Sequence, residues 1–373
     1  MAKRSSDKSQ SAAPGSRTPA VRHRVTMTDV ARLAGCSQST VSVVLNKSPG
    51  ISISATTRDR VFAAAKELGY EVTRSQLSQS ARPSQVAVIF DHIATSPEAV
   101  AVVDGIRECA WATGHVVMVF ETHNDAEMEG RILDAVLHDE TDLVIYATAM
   151  TRKVALPPRL HGIEPAVVLL NCHTDNHEFP SVVPGEVAGG HQAIDALIKF
   201  GHRRIAMITG EPWMDASRDR FKGYRQALAT ADIPFDSALV REGNWQASAG
   251  HGHTHALLTL DRPPTAIFCS NDKMAIGCYE ALKERGLAIP DDISVIGFDN
   301  EEFARHLSPQ LTTLVLPRRE MGLWAVENGL SGAVAKWQKY PITKLECPLI
   351  ERQSIARPRA ELTAATAGGK MRR

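Results

Sequence analysis

Three groups of residues in this 373-residue chain have types and spacings that could do chemistry. The first is a hydroxyl- and amide-rich stretch, Thr26, Ser37, Gln38, Ser39, Thr40, Ser42 and Asn46, preceded by Lys3, Arg4, Lys8, Arg17, Arg22 and Arg24. Small donors beside a basic run suit phosphate oxygens, which they can grip without reading base sequence. The second is a set of polar residues placed where short apolar runs end. Asn171 follows 166–170, Asn271 and Asp272 follow 266–269, and Asp299 follows 294–298, with Arg220 before Gly223-Tyr224 and Trp245 in a Gly-Asn-Trp loop after 239–242. Asn and Asp oxygens with an arginine fork match vicinal hydroxyls, and an indole face stacks on a sugar ring or a nucleobase. The third is His251-Gly-His-Thr-His255, whose imidazoles could hold a metal. That run opens a helical segment after a Gly-containing turn and reads as a solvated face, so neither metal nor cofactor is expected.

Catalysis finds no comparable footing. No G-x-G-x-x-G follows the first strand-like run 86–90, and neither a P-loop nor a G-x-S-x-G is present. The six cysteines, at 36, 109, 172, 269, 278 and 347, lack C-x-x-C spacing and fit reduced core thiols. Apolar runs are too short to span a bilayer, and residues 1–24 have no apolar core of a signal peptide. The expectation is a cytoplasmic protein without a membrane segment.

Charge gives the first view of the elements behind these groups. The 42 Lys and Arg balance 42 Asp and Glu, but residues 1–85 carry a net +8, 86–355 a net −12 and 356–373 a net +4. An acidic body between basic ends suggests that one end meets a polyanion. Within the basic end, 1–24 is Ser-, Ala- and Pro-rich and predicted disordered. Thr28 reads as the N-cap of a short helix with Val30, Leu33 and Ala34 inward, stopped by Gly35. Ser37 caps a second helix, 38–46, with Val41, Val44 and Leu45 on one face. Ser54 caps a third, 55–68, with Val61, Phe62, Ala65 and Leu68 inward. Two short helices around a glycine turn form a helix-turn-helix, which lays the start of its second helix on base edges. That assigns base reading to Gln38, Ser39 and Val43, and phosphate contact to Thr26, Ser37, Thr40, Ser42 and Asn46.

Residues 71–85 read as a polar linker. From Val86 apolar runs at 86–90, 116–120, 143–146, 166–170, 204–208, 266–269 and 294–298 alternate with helical patterns, as in parallel sheets covered by helices. About 270 residues of this pattern exceed one sheet, so two α/β lobes are expected, with a ligand between them at the carboxyl ends of the strands.

The run from Thr26 to Asn46, with Thr57-Arg-Asp-Arg-Val61 and Leu68-Gly-Tyr70, resembles the headpiece of the lactose/galactose repressor family of bacterial transcription regulators. Gly201-His-Arg-Arg-Ile-Ala206, Arg220-Phe-Lys-Gly-Tyr224, Cys269-Ser-Asn-Asp-Lys-Met-Ala-Ile-Gly277, Pro290-Asp-Asp-Ile-Ser-Val-Ile-Gly-Phe-Asp299 and Leu311-Thr-Thr313 resemble its effector domain. The resemblance implies an α/β protein with a helix-turn-helix headpiece (25–70), a linker (71–85) and a two-lobed effector and dimerisation body (86–355) like periplasmic binding proteins. Lobe 1 would take about 86–186 and 315–342, lobe 2 about 187–312 and 345–355. It also implies a homodimeric repressor on a pseudo-palindromic operator, and an effector, a sugar or sugar derivative before a nucleobase, held by Arg220, Trp245, Asn271, Asp299 and Asn171.

Three departures qualify what carries over. Val43 stands where many members have an arginine, so a thymine methyl contact replaces a guanine fork. The linker lacks the Pro-Asn and Ala-Arg-x-Leu pattern of a hinge helix and leaves Leu77 as its minor-groove wedge. The loop 91–98, where members often place an aromatic on the ligand, has none. Two other classes compete. A transport-type solute-binding protein shares the two-lobed body but not the headpiece, and an oxidoreductase on a parallel sheet lacks its nucleotide loop.

Overall fold

β-Branched runs buried on both faces need helices above and below them, whereas short amphipathic helices with one small-residue stripe pack only on each other. The chain contains both arrangements. The computed structural model describes residues 26–45, 53–68, 84–93, 97–137, 141–332 and 339–359. The predicted arm 1–24, most of the linker including Leu77, Asn46 and the tail beyond 359 lie outside the described residues. Two units separate, one up to Arg82 and one from Pro83.

In the first unit, α1 (Met27–Ala34), α2 (Gln38–Leu45) and α3 (Ala55–Glu67) close on Val30, Ala34, Val41, Val44, Leu45 and Val61. Helix α1 starts earlier than its predicted cap Thr28. The N–H and hydroxyl of Thr26 both donate to Asp29 Oδ2, at 2.9 and 2.7 Å, and make Thr26 the N-cap. Gly35, at φ 62°, allows the turn into α2, whose first free N–H groups are met by Ser37 Oγ accepting from Thr40 N at 3.1 Å. Leu33 and Phe62, expected inward, are 47% and 45% exposed. Each sits one position off the buried stripe of its helix, which Ala31 and Ala64 complete instead.

The second unit holds two sheets, each six-stranded among the described residues. Lobe 1 is built from β1 (Gln85–Phe90), β2 (Val116–Glu121), β3 (Thr141–Lys153), β4 (Ala166–His173), β5 (Ser181–Pro184) and β11 (Ile342–Leu345), in the order β11-β5-β4-β3-β1-β2. Its helices are α4 (Pro97–Ala112), α5 (Ala126–Leu137) and α10 (Arg318–Leu330). Lobe 2 takes β6 (Ile205–Thr209), β7 (Val240–Glu242), β8 (Ala266–Cys269), β9 (Ser294–Asp299), β10 (Thr312–Val315) and β12 (Leu349–Ile350), in the order β12-β10-β9-β8-β6-β7. Helices α6 (Glu186–Lys199), α7 (Asp215–Thr230), α8 (Ala247–Leu258) and α9 (Asp272–Glu284) cover it. Pairing is parallel except between β10 and β12.

The chain therefore passes between lobes three times, after β5, after β10 and after β11. These crossings lie side by side: Gly185 N donates to Leu345 O at 2.7 Å, and Val315 N to Pro348 O at 2.8 Å. Past the expected body end at 355 the chain still belongs to lobe 2. Buried His202 contacts Ala356 O through Nε2 at 2.8 Å, and Arg359 pairs with Asp292. All six cysteines are free and four are buried, and no helix among the described residues is long and apolar enough to cross a membrane.

Three helix pairs touch backbone to backbone. A Cβ on Gly105 would stand 2.1 Å from Arg319 O, one on Gly190 2.4 Å from Arg220 O, and one on Gly277 1.8 Å from Ala247 O. Glycine is required there by the closeness of the partner helix, since none of the three has a positive φ. Gly277→Ala must push α8 off α9, and overpacking of this kind costs about 1–3 kcal/mol. Urea unfolding should show that loss, and an unchanged midpoint would mean that the pair can separate freely.

Candidate ligand cleft and nucleic-acid interface

Each functional side chain in the body sits where a strand ends, because a parallel strand leaves its last residue at the carboxyl edge of the sheet. Asn171 ends the apolar part of β4, Asp299 ends β9, Asn271 follows β8 and Trp245 follows β7, while Arg220 points in from the first half of α7. All five line one cleft of about 640 Å³, a size usual for small-molecule sites. Asn171, Trp245 and Asp299 hold left-handed backbone, at φ 59°, 66° and 114°. Non-glycine residues at such angles cost of order 1–3 kcal/mol each and cluster at functional sites.

The five do not stand alike toward a ligand. Arg220 is 3% exposed, and its fork is occupied. Nε and Nη2 donate to the two oxygens of Glu186 at 2.6 and 3.0 Å, and Nη1 donates to Ser270 O. Its guanidinium lies 3.7 Å from the centroid of Phe298 and 5.6 Å from Trp245, and Asp299 Oδ1 is 3.7 Å from Nη2. Asn171 is spent too: Oδ1 accepts from Thr151 Oγ1 at 2.6 Å, and Nδ2 donates to Thr148 O at 3.0 Å. It pins the end of β3, where the register shifts between Ala147 and Arg152 and brings Ala149–Thr151 into the cleft wall. Asn271 caps α9, accepting from Met274 N at 2.9 Å and donating to Trp245 O at 3.1 Å. Asp272, the next residue, is the first of the helix. Trp245 donates Nε1–H toward Met214 Sδ at 3.0 Å and lies flat against Gly210, where a Cβ would overlap the indole. Trp245 and Asp299 both line the cleft. Trp213 is 61% exposed and does not line the cleft.

Asp272 has a different part. It is fully buried, with Oδ1 accepting from Thr313 Oγ1 at 2.6 Å and Oδ2 from Glu301 N at 2.8 Å. Burial, and after it Asp299, push its carboxyl up to about 8 against those two hydrogen bonds.

Residues that sequence reasoning passed over complete the wall: His92 and His123 from lobe 1, Lys273 at the start of α9, and Arg318 at the crossing after β10. His92 lies in the loop where an aromatic is missing, and its imidazole meets His123 edge to face with centroids 5.6 Å apart. Counting imidazole as an aromatic would have found it. Arg318 Nη2 stands 3.8 Å from Asp299 Oδ1, so one carboxylate oxygen faces two guanidinium groups.

On the headpiece, Gln38 and Ser39 are exposed at the start of α2, and Val43, Thr40 and Ser42 are half-buried along it. Ser37 Oγ lies 2.7 Å from Ser39 Oγ and 2.8 Å from Thr40 Oγ1, so the cap and its neighbours form one hydroxyl cluster at the helix N-terminus. Thr26 is exposed and held by Asp29. A helix N-terminus ringed by hydroxyls is a ready anion site, as a phosphate backbone requires.

A helix-turn-helix unit in one chain with a two-lobed α/β unit bearing a polar cleft is the architecture of a DNA-binding transcription regulator with an effector-binding domain. The lacI-family model of bacterial regulatory proteins matches residues 26–72, and a periplasmic binding protein-like domain matches 194–355. The chain is 32% identical over 340 residues to the transcriptional repressor PurR of Pectobacterium atrosepticum, covering 89% of this chain and 97% of that one. It is 30% identical over 334 residues to the ribose operon repressor of Haemophilus influenzae, covering 88% and 98%. Among solved structures, a LacI-family regulator of Rhizobium etli superposes with TM-score 0.67 at 29% identity, over 74% of this chain and all of that one. The lac repressor dimer bound to operator and the anti-inducer ONPF gives 0.66 at 26%, over 89% and 99%. The chain belongs to the lacI family of bacterial regulatory proteins.

Two outcomes check this account of the cleft floor. Arg220→Ala leaves the Glu186 carboxylate buried without its partner, which typically costs about 3–5 kcal/mol. Arg220→Ala with Glu186→Gln should recover part of that loss in urea unfolding, and equal midpoints for the single and double variants would refute the pairing. For Asp272, an unfolded aspartate ionises near pH 4, at about 3.9, and the folded one near 8. Its folded pKa is raised, so its contribution to stability is full below the unfolded value, declines as pH rises and is lost above the folded one. Asp272→Asn should flatten the fall of melting temperature between about pH 5 and pH 8, whereas an unaltered slope would mean an ionised carboxylate.

Proposed function

We propose that the chain is a repressor that binds a pseudo-palindromic operator as a homodimer and is controlled by a small molecule held between its lobes, a sugar or sugar derivative in preference to a nucleobase. The observation that carries this reading is the cleft itself, in which Trp245 offers a stacking face beside Asp299, Arg318 and Asn271. An apolar ring face with carboxylate, amide and guanidinium groups around it suits a ring bearing vicinal hydroxyls. Relatives support the class: one is the ribose operon repressor, and a solved regulator, CelR in complex with cellobiose, superposes with TM-score 0.61 at 27% identity. The likeness to PurR and the indole face keep a nucleobase as the second reading.

Gln38, Ser39 and Val43 read base edges in this proposal, Val43 through a thymine methyl, while Ser37, Thr40, Ser42 and Thr26 hold phosphates. Asn46 and Leu77 extend these roles to residues outside those described. An effector that prefers one angle between the lobes changes operator affinity by its differential affinity for the two angles, and operator changes effector affinity equally.

A thermal-shift screen of the full chain against pentoses, hexoses, disaccharides, sugar acids and nucleobases identifies the effector. Trp245→Ala should then weaken the compound that binds at least about tenfold by calorimetry, in line with loss of an aromatic stacking face. Full affinity in that variant would place the effector elsewhere, and a DNA selection that returned sites without two-fold symmetry would count against the dimer.

A further inference from the structure

The run His251-Gly-His-Thr-His255 separates into unequal parts once folded. Helix α8 carries His251 and His255 one turn apart, and both Nε2 atoms converge on a single oxygen of α9, Glu284 Oε2, at 3.0 and 2.8 Å. The two imidazoles meet edge to face with centroids 4.7 Å apart. Ligand-type atoms of His251, His255 and Glu284 all lie within 4.8 Å of one another, and His253 is not among them. We propose that His251, His255 and Glu284 form a site for a divalent transition-metal ion of the zinc class on the outer face of lobe 2, separate from the ligand cleft.

Three features carry it. Two imidazole nitrogens and one carboxylate oxygen are a donor set that zinc takes with a water in the fourth position. Bonds of about 2.0–2.2 Å around a tetrahedral ion place donors about 3.3 Å apart. The nitrogen–oxygen separations here need to open by only a few tenths of an ångström. The supporting frame is stiff, because α8 and α9 touch through Gly250 and Gly277, and a Cβ on Gly277 would stand 2.6 Å from the backbone nitrogen of His251 itself. Helices fixed at that distance hold the ligands in place before any ion arrives. Access is open, since the side chains of His251, His255 and Glu284 are 37%, 27% and 56% exposed.

One neighbour works against the ion. Arg285 Nε donates to His255 Nδ1 at 3.2 Å, which leaves the ring proton on Nε2, facing Glu284. Zinc takes the place of that proton; Nδ1 then carries a hydrogen, and Arg285 has to swing away. Arg285 therefore weakens the site, and Arg285→Gln should tighten it.

Calorimetric titration of the full chain with Zn²⁺, and with Co²⁺ followed by visible absorption, tests the site. Expected is one ion per chain, with binding reduced at least about tenfold in His251→Ala, His255→Ala and Glu284→Gln, unaltered in His253→Ala and strengthened in Arg285→Gln. At a hundredfold excess of Zn²⁺ over Kd, the melting temperature should rise by about 5 °C. Absence of Zn²⁺ binding by the wild type would overturn the proposal. So would binding that survives His251→Ala/His255→Ala, including binding that disappears instead in His92→Ala/His123→Ala, which would assign the ion to the other histidine–carboxylate group, His92, Glu121 and His123.

Discussion

A buried guanidinium needs partners around its fork, and in this protein they come from three places, α6, the turn after β8 and β9. Arg220 reaches from α7 to Glu186 at the start of α6, to the Ser270 carbonyl after β8, to the Phe298 ring on β9 and toward Asp299 at its end. Glu186 is the first residue of lobe 2 after the chain leaves β5, so the same ion pair anchors a crossing between lobes to the cleft floor. A charge pair under water-free conditions gains little net stability compared with apolar side chains, but it tolerates few geometries. Its effect here is to fix where Asp299 and Trp245 stand.

Glycines give the body its second constraint. At Gly105, Gly190 and Gly277 the partner backbone is too near for a methyl group, so one helix pair of lobe 1 and two of lobe 2 pack backbone to backbone. The cleft wall is divided between the lobes: Ala149–Thr151, His92 and His123 belong to lobe 1, and Asn271, Trp245 and Arg220 to lobe 2. A ligand touching both walls would bridge the two lobes.

Much of this was legible in the residues because the signals were local. An apolar run closed by Asn or Asp marks a strand end, and Asn171, Asn271 and Asp299 all stand where that pattern predicts, around the one cleft. Apolar runs mark β1 to β4, β6, β8 and β9, even the half-exposed edge strand β2, whereas β5, β10, β11 and β12 are short and owe their existence to partners far away in sequence, such as β11 on β5. The lobe boundaries depend on those same strands. Nor could residue types tell which polar groups are spent internally. Arg220 and Asn171 line the cleft, yet their polar atoms are engaged within the fold, and Asn271 is engaged as the cap of α9. Leu33 and Phe62 mark the resolution of a helical stripe: one position off its centre is enough to leave a large apolar side chain in water.

The three crossings also set an order in time. Lobe 1 begins at β1, yet its core includes Met321, Ala325 and Val326 of α10, and its edge strand β11 ends at Leu345. Lobe 2 lies almost wholly within that interval but is finished only by β12 and by Ala356 against His202. Synthesised from the N-terminus, the first lobe has an open face while nearly all of the second emerges, and both are finished by residues 318–356. Contacts of such long sequence separation form slowly and leave unpaired strand edges exposed meanwhile. Neither lobe has its full set of contacts until residues 318–356 have been made.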